Sequence, residues 1–172
     1  VVSTASKAAL VPVPGFTLYN SLKMAVVTVM ETLACDLQGT DIGSSVFCPG
    51  PFMTNLGQSS GEVRAKHLGV EVPDFAPPPP SKEGEAPPSQ VDFSKIIRDP
   101  DEAGKRVVRG IKRGDLYILT HSDFKGGWDA RAEAVSKAFP DEPVNPDFKK
   151  IFSMLAYNPV FEKQTQVPGY QQ

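Results

Sequence analysis

Twenty residues from about Tyr19 to Gln38 constrain this chain most, because their apolar positions recur with the period of a helix. Leu22, Val26, Val29, Met30, Leu33 and Leu37 return mostly at spacings of three and four, and Gly39 stands where helices commonly stop. Ile42 to Cys48 follows as a short apolar run, partly β-branched, closed by Pro49-Gly50. A long helix, a tight turn and a short strand form the second half of a β-α-β unit, which implies a parallel sheet with helices on its faces. Val1 to Ala5 reads as the end of a buried strand before it, and Pro12, Pro14 and Gly15 punctuate the intervening loop.

The pattern weakens between Asn55 and Gln90, where Glu62 to Leu68 suits a short helix. Pro73, the run Pro77 to Pro80, Pro87 and Pro88 then give a stretch of polyproline II tendency. A surface loop is the expectation for it, with a docking site for a proline-recognising module as the alternative. Order returns at Asp99, which suits an N-cap, with Pro100 at the first helical position and Asp101 and Glu102 in the first turn. That helix is expected to reach Arg113 and stop at Gly114. Leu116 to Thr120 reads as a strand, and Phe124 to Phe139 as a further helix ended by Pro140. The tail carries Phe148, Ile151, Phe152, Leu155 and Phe161, a set expected to pack as a short helix.

Composition narrows the function classes. A chain of 172 residues with 40% apolar content suits one globular domain. Eighteen basic against twenty acidic residues give no general pull toward nucleic acid or anionic membrane, so neither is expected as a partner. The cluster Lys105, Arg106, Arg109, Lys112 and Arg113 reads as a solvated helix face. Cys35 and Cys48 are too few for a disulfide framework and are expected as small buried residues; His67 and His121 lack ligand spacing, so no metal is expected. No apolar run is long enough to span a bilayer and the front lacks the pattern of a signal peptide, so a cytoplasmic location is expected.

The chemistry gathers at the front. Tyr19 and Lys23 lie four apart, on one helix face and about 6 Å apart along the axis. A phenol beside an ammonium can serve as a general acid/base, because positive charge favours the phenolate. The spacing alone recurs by chance. Ser6 strengthens it, since it falls at the strand end thirteen residues before Tyr19. Pro49-Gly50-Pro51-Phe52-Met53-Thr54 follows the next strand at the same carboxyl edge, where open α/β sheets bind ligands.

Serine, Tyr-x-x-x-Lys and Pro-Gly-x-x-x-Thr in this order resemble the short-chain dehydrogenases/reductases. The resemblance is specific from Val1 to about Leu56 and continues to Phe139 only in the order of elements. It implies the C-terminal part of a doubly wound Rossmann-like parallel sheet over residues 1–139, with a proline-rich lid over 55–90 and a helical extension over 140–172. It implies that Ser6 hydrogen-bonds the substrate oxygen, that Tyr19 transfers the proton, and that Lys23 tunes Tyr19 and holds the nicotinamide ribose. Pro49, Gly50, Phe52 and Thr54 would grip the nicotinamide end of NAD or NADP, with a secondary alcohol or ketone as substrate, and a homodimer or homotetramer as the assembly.

The family's Gly-rich dinucleotide loop and catalytic asparagine are expected upstream of Val1, so the chain looks like the C-terminal half of such an enzyme. Gly126-Gly127 cannot substitute, because no Gly-x-Gly-x-x-Gly follows a strand. The lid suggests a bulky or aromatic substrate. The alternative is a non-catalytic half-domain that pairs with another chain, with Met30, Leu33 and Leu37 as the pairing face. Tyr19 and Lys23 would then be an exposed hydroxyl and a solvated partner. Thr54 is open to a cap role, a cofactor contact, or both.

Overall fold

A computed structural model describes residues 1–69, 96–143, 145–153 and 158–163. The chain divides into two compact units, Val1–Gly50 with Ala103–Gln172, and Pro51–Glu102.

The first unit is built on a three-stranded parallel sheet in the order β1 (Val2–Thr4), β2 (Ser45–Cys48), β3 (Tyr117–Leu119). Serine 3 pairs with Val46, and Cys48 with Leu119. The strand β2 lies in the middle, and Val46 and Cys48 are fully buried. With Ser45, Val46 and Cys48 buried and Phe47 half-buried, it has no exposed position, as expected of a parallel strand covered on both faces. Alternation along β3 shows the covering. Tyr117 packs with the cluster of Ala5, Ala9, Val27, Met30, Val46 and Cys48, to which α2 (Thr17–Asp36) contributes Val27 and Met30. The next residue, Ile118, meets Gly110 of α4 (Pro100–Arg113) instead. A Cβ on Gly110 would stand 2.6 Å from Ile118 Cδ1, so only glycine allows this approach. Helices therefore cover both faces, and the fold is the α/β, Rossmann-like architecture expected.

The helix α2 begins two residues before the expected Tyr19, and Gly39 follows it at φ 82°. The helix α4 starts at Pro100, and Asp99 Oδ1 accepts the Asp101 N–H at 2.8 Å, as an N-cap should. Gly114 ends it at φ 73°. A single 3-10 turn, Ser122–Phe124, leads into α5 (Lys125–Lys137).

Two expectations need correction. The front strand is not buried: Val1 and Val2 are exposed and burial starts only at Ala5, since among the described residues β1 pairs with β2 on one side only. Nor does the short helix of the tail, α6 (Pro146–Ile151), carry its packing. Phe148, Ile151 and Phe152 are exposed, although Phe148 and Phe152 pair at 5.2 Å. Contact comes from the 3-10 turn Pro159–Lys163, where Val160 is buried and Phe161 stacks on Tyr117 at 6.5 Å. Leu155 lies outside the described residues.

In the second unit, Phe52 bridges Arg98 in parallel, with Met53 N–H donating to the Arg98 carbonyl and Arg98 N–H to the Pro51 carbonyl. The helix α3 (Leu56–Leu68) is twice the length expected from Glu62, and Gly69 ends it in the left-handed region at φ 60°. The proline-rich stretch from Pro73 to Pro88, and with it most of the expected lid, lies outside the described residues. Among the described residues no helix is long and apolar enough to cross a membrane.

Candidate active site

Everything at the site hangs on where β1 stops. Past Thr4 the chain leaves the sheet, Ala5 N–H still donating to the Phe47 carbonyl at 2.7 Å, and Ser6 caps a single-turn helix, α1 (Lys7–Leu10). The Ser6 Oγ accepts the Ala8 N–H at 3.1 Å, which places a buried hydroxyl at the sheet's carboxyl edge. One of its two lone pairs is thereby occupied, and its hydroxyl can still donate. Lys7 N–H donates to the Pro49 carbonyl at 2.9 Å, so the residue after Ser6 is tied to the Pro-Gly segment after β2.

Lys23, on the first turns of α2, folds back to the same strand end. Its ammonium donates to the Thr4 carbonyl at 3.2 Å and stands 5.8 Å from the centre of the Tyr19 ring. Tyr19 itself is 42% exposed, enough for a substrate to meet its hydroxyl. The helix starts here because Asn20 Nδ2 donates to the Val13 carbonyl at 2.8 Å, fixing the proline-punctuated loop against its first turn. Tyr117 makes a telling contrast. Burial first, then its hydrogen bond to Glu31, push that phenol far above its ordinary value of 10.0, so it holds its proton. Of these two tyrosines, Tyr19 is the one exposed to solvent.

The other expected site residues divide between the units. Pro49 and Gly50 sit with Ser6, Tyr19 and Lys23. Phe52 and Thr54 belong to the second unit, where Thr54 Oγ1 accepts the Leu56 N–H at 3.3 Å, a cap-like bond at the start of α3. Burial pushes the Cys48 thiol up to about 12, so it is an apolar filler. Cys35 is half-buried and donates to Asn158 Oδ1.

Three side chains at this edge escaped the sequence reading. Thr120 and His121 follow β3 where Pro49-Gly50 follows β2, and Gly50 N–H donates to Thr120 Oγ1 at 2.9 Å. The signal available was a threonine closing a convincing strand and a histidine directly after it. Arg131 of α5 donates to the Ala9 and Leu10 carbonyls, both at 2.9 Å, closing the end of α1. Its partners lie more than 120 residues away in sequence, and no local pattern could have pointed to it.

Comparison with known proteins gives the same picture. Residues 1–65 match the family model of the short chain dehydrogenases. The CLA biosynthesis dehydrogenase/reductase of Lactiplantibacillus plantarum is 30% identical over 130 residues, covering 72% of this chain and 43% of that protein. A short chain dehydrogenase/reductase from Burkholderia phymatum, solved in complex with NAD, superposes with a TM-score of 0.58 at 28% identity, over 84% of this chain and 50% of that one. A Novosphingobium aromaticivorans chain described as a short-chain dehydrogenase gives 0.56 at 25% identity, over 95% of this chain and 46% of that one. The chain thus spans about half the length of the proteins it matches. Through residues 1–65 and the two-faced parallel sheet built around them, the chain belongs to the short-chain dehydrogenase/reductase family.

Proposed function

We propose that this chain carries the proton-handling half of an oxidoreductase that interconverts a secondary alcohol and a ketone with NAD or NADP. The observation that supports it best is Lys23, whose ammonium links the Thr4 carbonyl at the end of β1 to the ring of Tyr19. Ser6 stands two residues beyond Thr4, and its hydroxyl, keeping its proton, donates a hydrogen bond that polarises the substrate oxygen. Tyr19 gives the proton to that oxygen in reduction and takes it in oxidation. Lys23 supplies positive charge beside the phenol, and donors beyond the one spent on Thr4 suit ribose hydroxyls.

The residues fit a nicotinamide group. Pro49 and Gly50 emerge at the carboxyl end of the central strand, where such sheets take dinucleotides, and the missing side chain of Gly50 leaves room for His121 and Phe124 against its backbone. Phe52 and Thr54, of the second unit, are the further cofactor contacts that the family resemblance implies. When bound, the nicotinamide supplies or accepts the hydride. The NAD held by the Burkholderia phymatum neighbour and the dehydrogenase/reductase name of the Lactiplantibacillus plantarum relative agree with this reading. A cytoplasmic location and a bulky substrate under a lid spanning 55–90 go with it.

Assembly as a homodimer or homotetramer would use a different face of α2 from the one anticipated. Met30 is 2% exposed and Leu33 packs on the core, so neither is available. Leu18, Leu22 and Val29, at 74%, 59% and 62% exposure, form the apolar stripe that is.

The decisive experiment replaces Tyr19 with Phe in the complete protein. Turnover of secondary alcohols should fall by at least about a thousandfold, since the general acid/base is removed, with the circular dichroism spectrum unchanged. Full activity in that variant would defeat the assignment.

A further inference from the structure

We propose that Thr120 and His121 form a latch that positions the Pro49-Gly50 backbone for the cofactor, a role that rests on the function proposed above. The register of the sheet brings the two segments together. Cys48 pairs with Leu119 across parallel strands, so the residues that follow each, Pro49-Gly50 and Thr120-His121, leave the sheet side by side. Gly50 N–H donates to Thr120 Oγ1 at 2.9 Å, and the same oxygen lies 2.6 Å from His121 Nδ1. Thr120 is 2% exposed and His121 is 8% exposed, so little water competes for these bonds.

Packing closes the latch. The His121 ring leans on Phe124 at 5.8 Å. A Cβ on Gly50 would stand 2.4 Å from His121 Nδ1 and 2.8 Å from Phe124 Cε2, so the imidazole lies flush against the glycine backbone. On the opposite side the Lys7 N–H holds the Pro49 carbonyl. The dipeptide is therefore bonded from both neighbouring strand ends, one of them adjoining Ser6. The side chains on the β3 side do no proton transfer; they fix a peptide whose position sets the grip on the nicotinamide. A site displaced by an ångström loses affinity although every contacting group is still present.

The test is Thr120→Val in the complete protein, which keeps the shape and removes the oxygen, with Thr120→Ser as the conservative control. The readouts are NADH and NADPH titration by fluorescence, kcat and KM for the cofactor, and hydrogen exchange of the Gly50 amide. Thr120→Val should raise the cofactor Kd and KM about tenfold, the effect of one buried hydrogen bond, and leave kcat at saturating cofactor within about twofold. Its Gly50 amide should exchange faster, and Thr120→Ser should restore both. His121→Leu should weaken binding in the same direction, and His121→Asn, which keeps a nitrogen near the Nδ1 position, should recover most of it.

Unchanged affinity in Thr120→Val, or a Thr120→Ser variant as weak as Thr120→Val, would overturn the latch. A wild type that binds neither NADH nor NADPH would overturn the cofactor reading instead, and the Gly50 exchange rates would still decide whether the latch exists.

Discussion

The helices α2 and α3 are both ordinary in length, 20 and 13 residues, and they are stabilised in different ways. Val27 and Met30 of α2 are sealed against β2, while Ser44 Oγ donates to the Met30 carbonyl at 2.8 Å. In α3, Leu56, Val63 and Leu68 are exposed at 69%, 56% and 65%, and its bonds are local ones, such as Gln58 to Glu62. An isolated 13-residue helix is marginal in water, whereas one that lays an apolar stripe on a sheet inherits the stability of the core. The proposed proton chemistry stands on the rigid partner of this pair.

That contrast can be broken by experiment. Met30→Ala should cost about 2–5 kcal/mol, through lost transfer energy and the cavity left beside Val27 and Val46. Leu56→Ala should cost no more than about 0.5 kcal/mol, since its side chain is already in water. Urea unfolding of the two variants side by side is the measurement, and equal losses would mean that α3 has a core of its own.

Alkaline pH sharpens the same contrast. Folded, Cys48 keeps its proton to about 12, while the unfolded chain releases it near 9.0. Between these values the unfolded state binds fewer protons, so stability should fall as pH rises, by at most about 1.4 kcal/mol per pH unit for this group. Tyr117 adds a loss of the same sign from its ordinary 10.0 upward. Denaturation midpoints at pH 8 and 10 should differ, and Cys48→Ala should flatten the earlier part of the decline. A similarly small effect, about 0.5 kcal/mol, is expected at Thr54→Ala, because its bond to the Leu56 N–H lies exposed at the start of a helix. A loss of several kcal/mol there would place Thr54 in a larger network.

What was legible follows the same division. The period of α2, the Gly39 stop and the apolar β2 each state their structure locally, as do Asp99, Pro100 and Gly114 around α4. The front half of α3 was not legible. Gly57 and the polar run Gln58-Ser59-Ser60-Gly61 hide its period, and no buried face imposed one. The exposure of β1 was misread because an apolar sequence cannot say how many neighbours a strand has. In the site, Ser6, Tyr19 and Lys23 were visible as a spacing. Thr120 needed the register of β3 against β2, which depends on residues about 70 positions apart.

The Arg131 bonds to α1 also bear on the order of events during synthesis. The turn that follows Ser6 waits for a guanidinium made 122 residues later than the Ala9 carbonyl it completes. At about 5–20 residues per second that delay is on the order of 6–24 s. During it, the ribosome has already released Tyr19 and Lys23 in a helix-forming stretch while the end of α1 stays open. The proposed catalytic corner is thus made well before the residue that completes it.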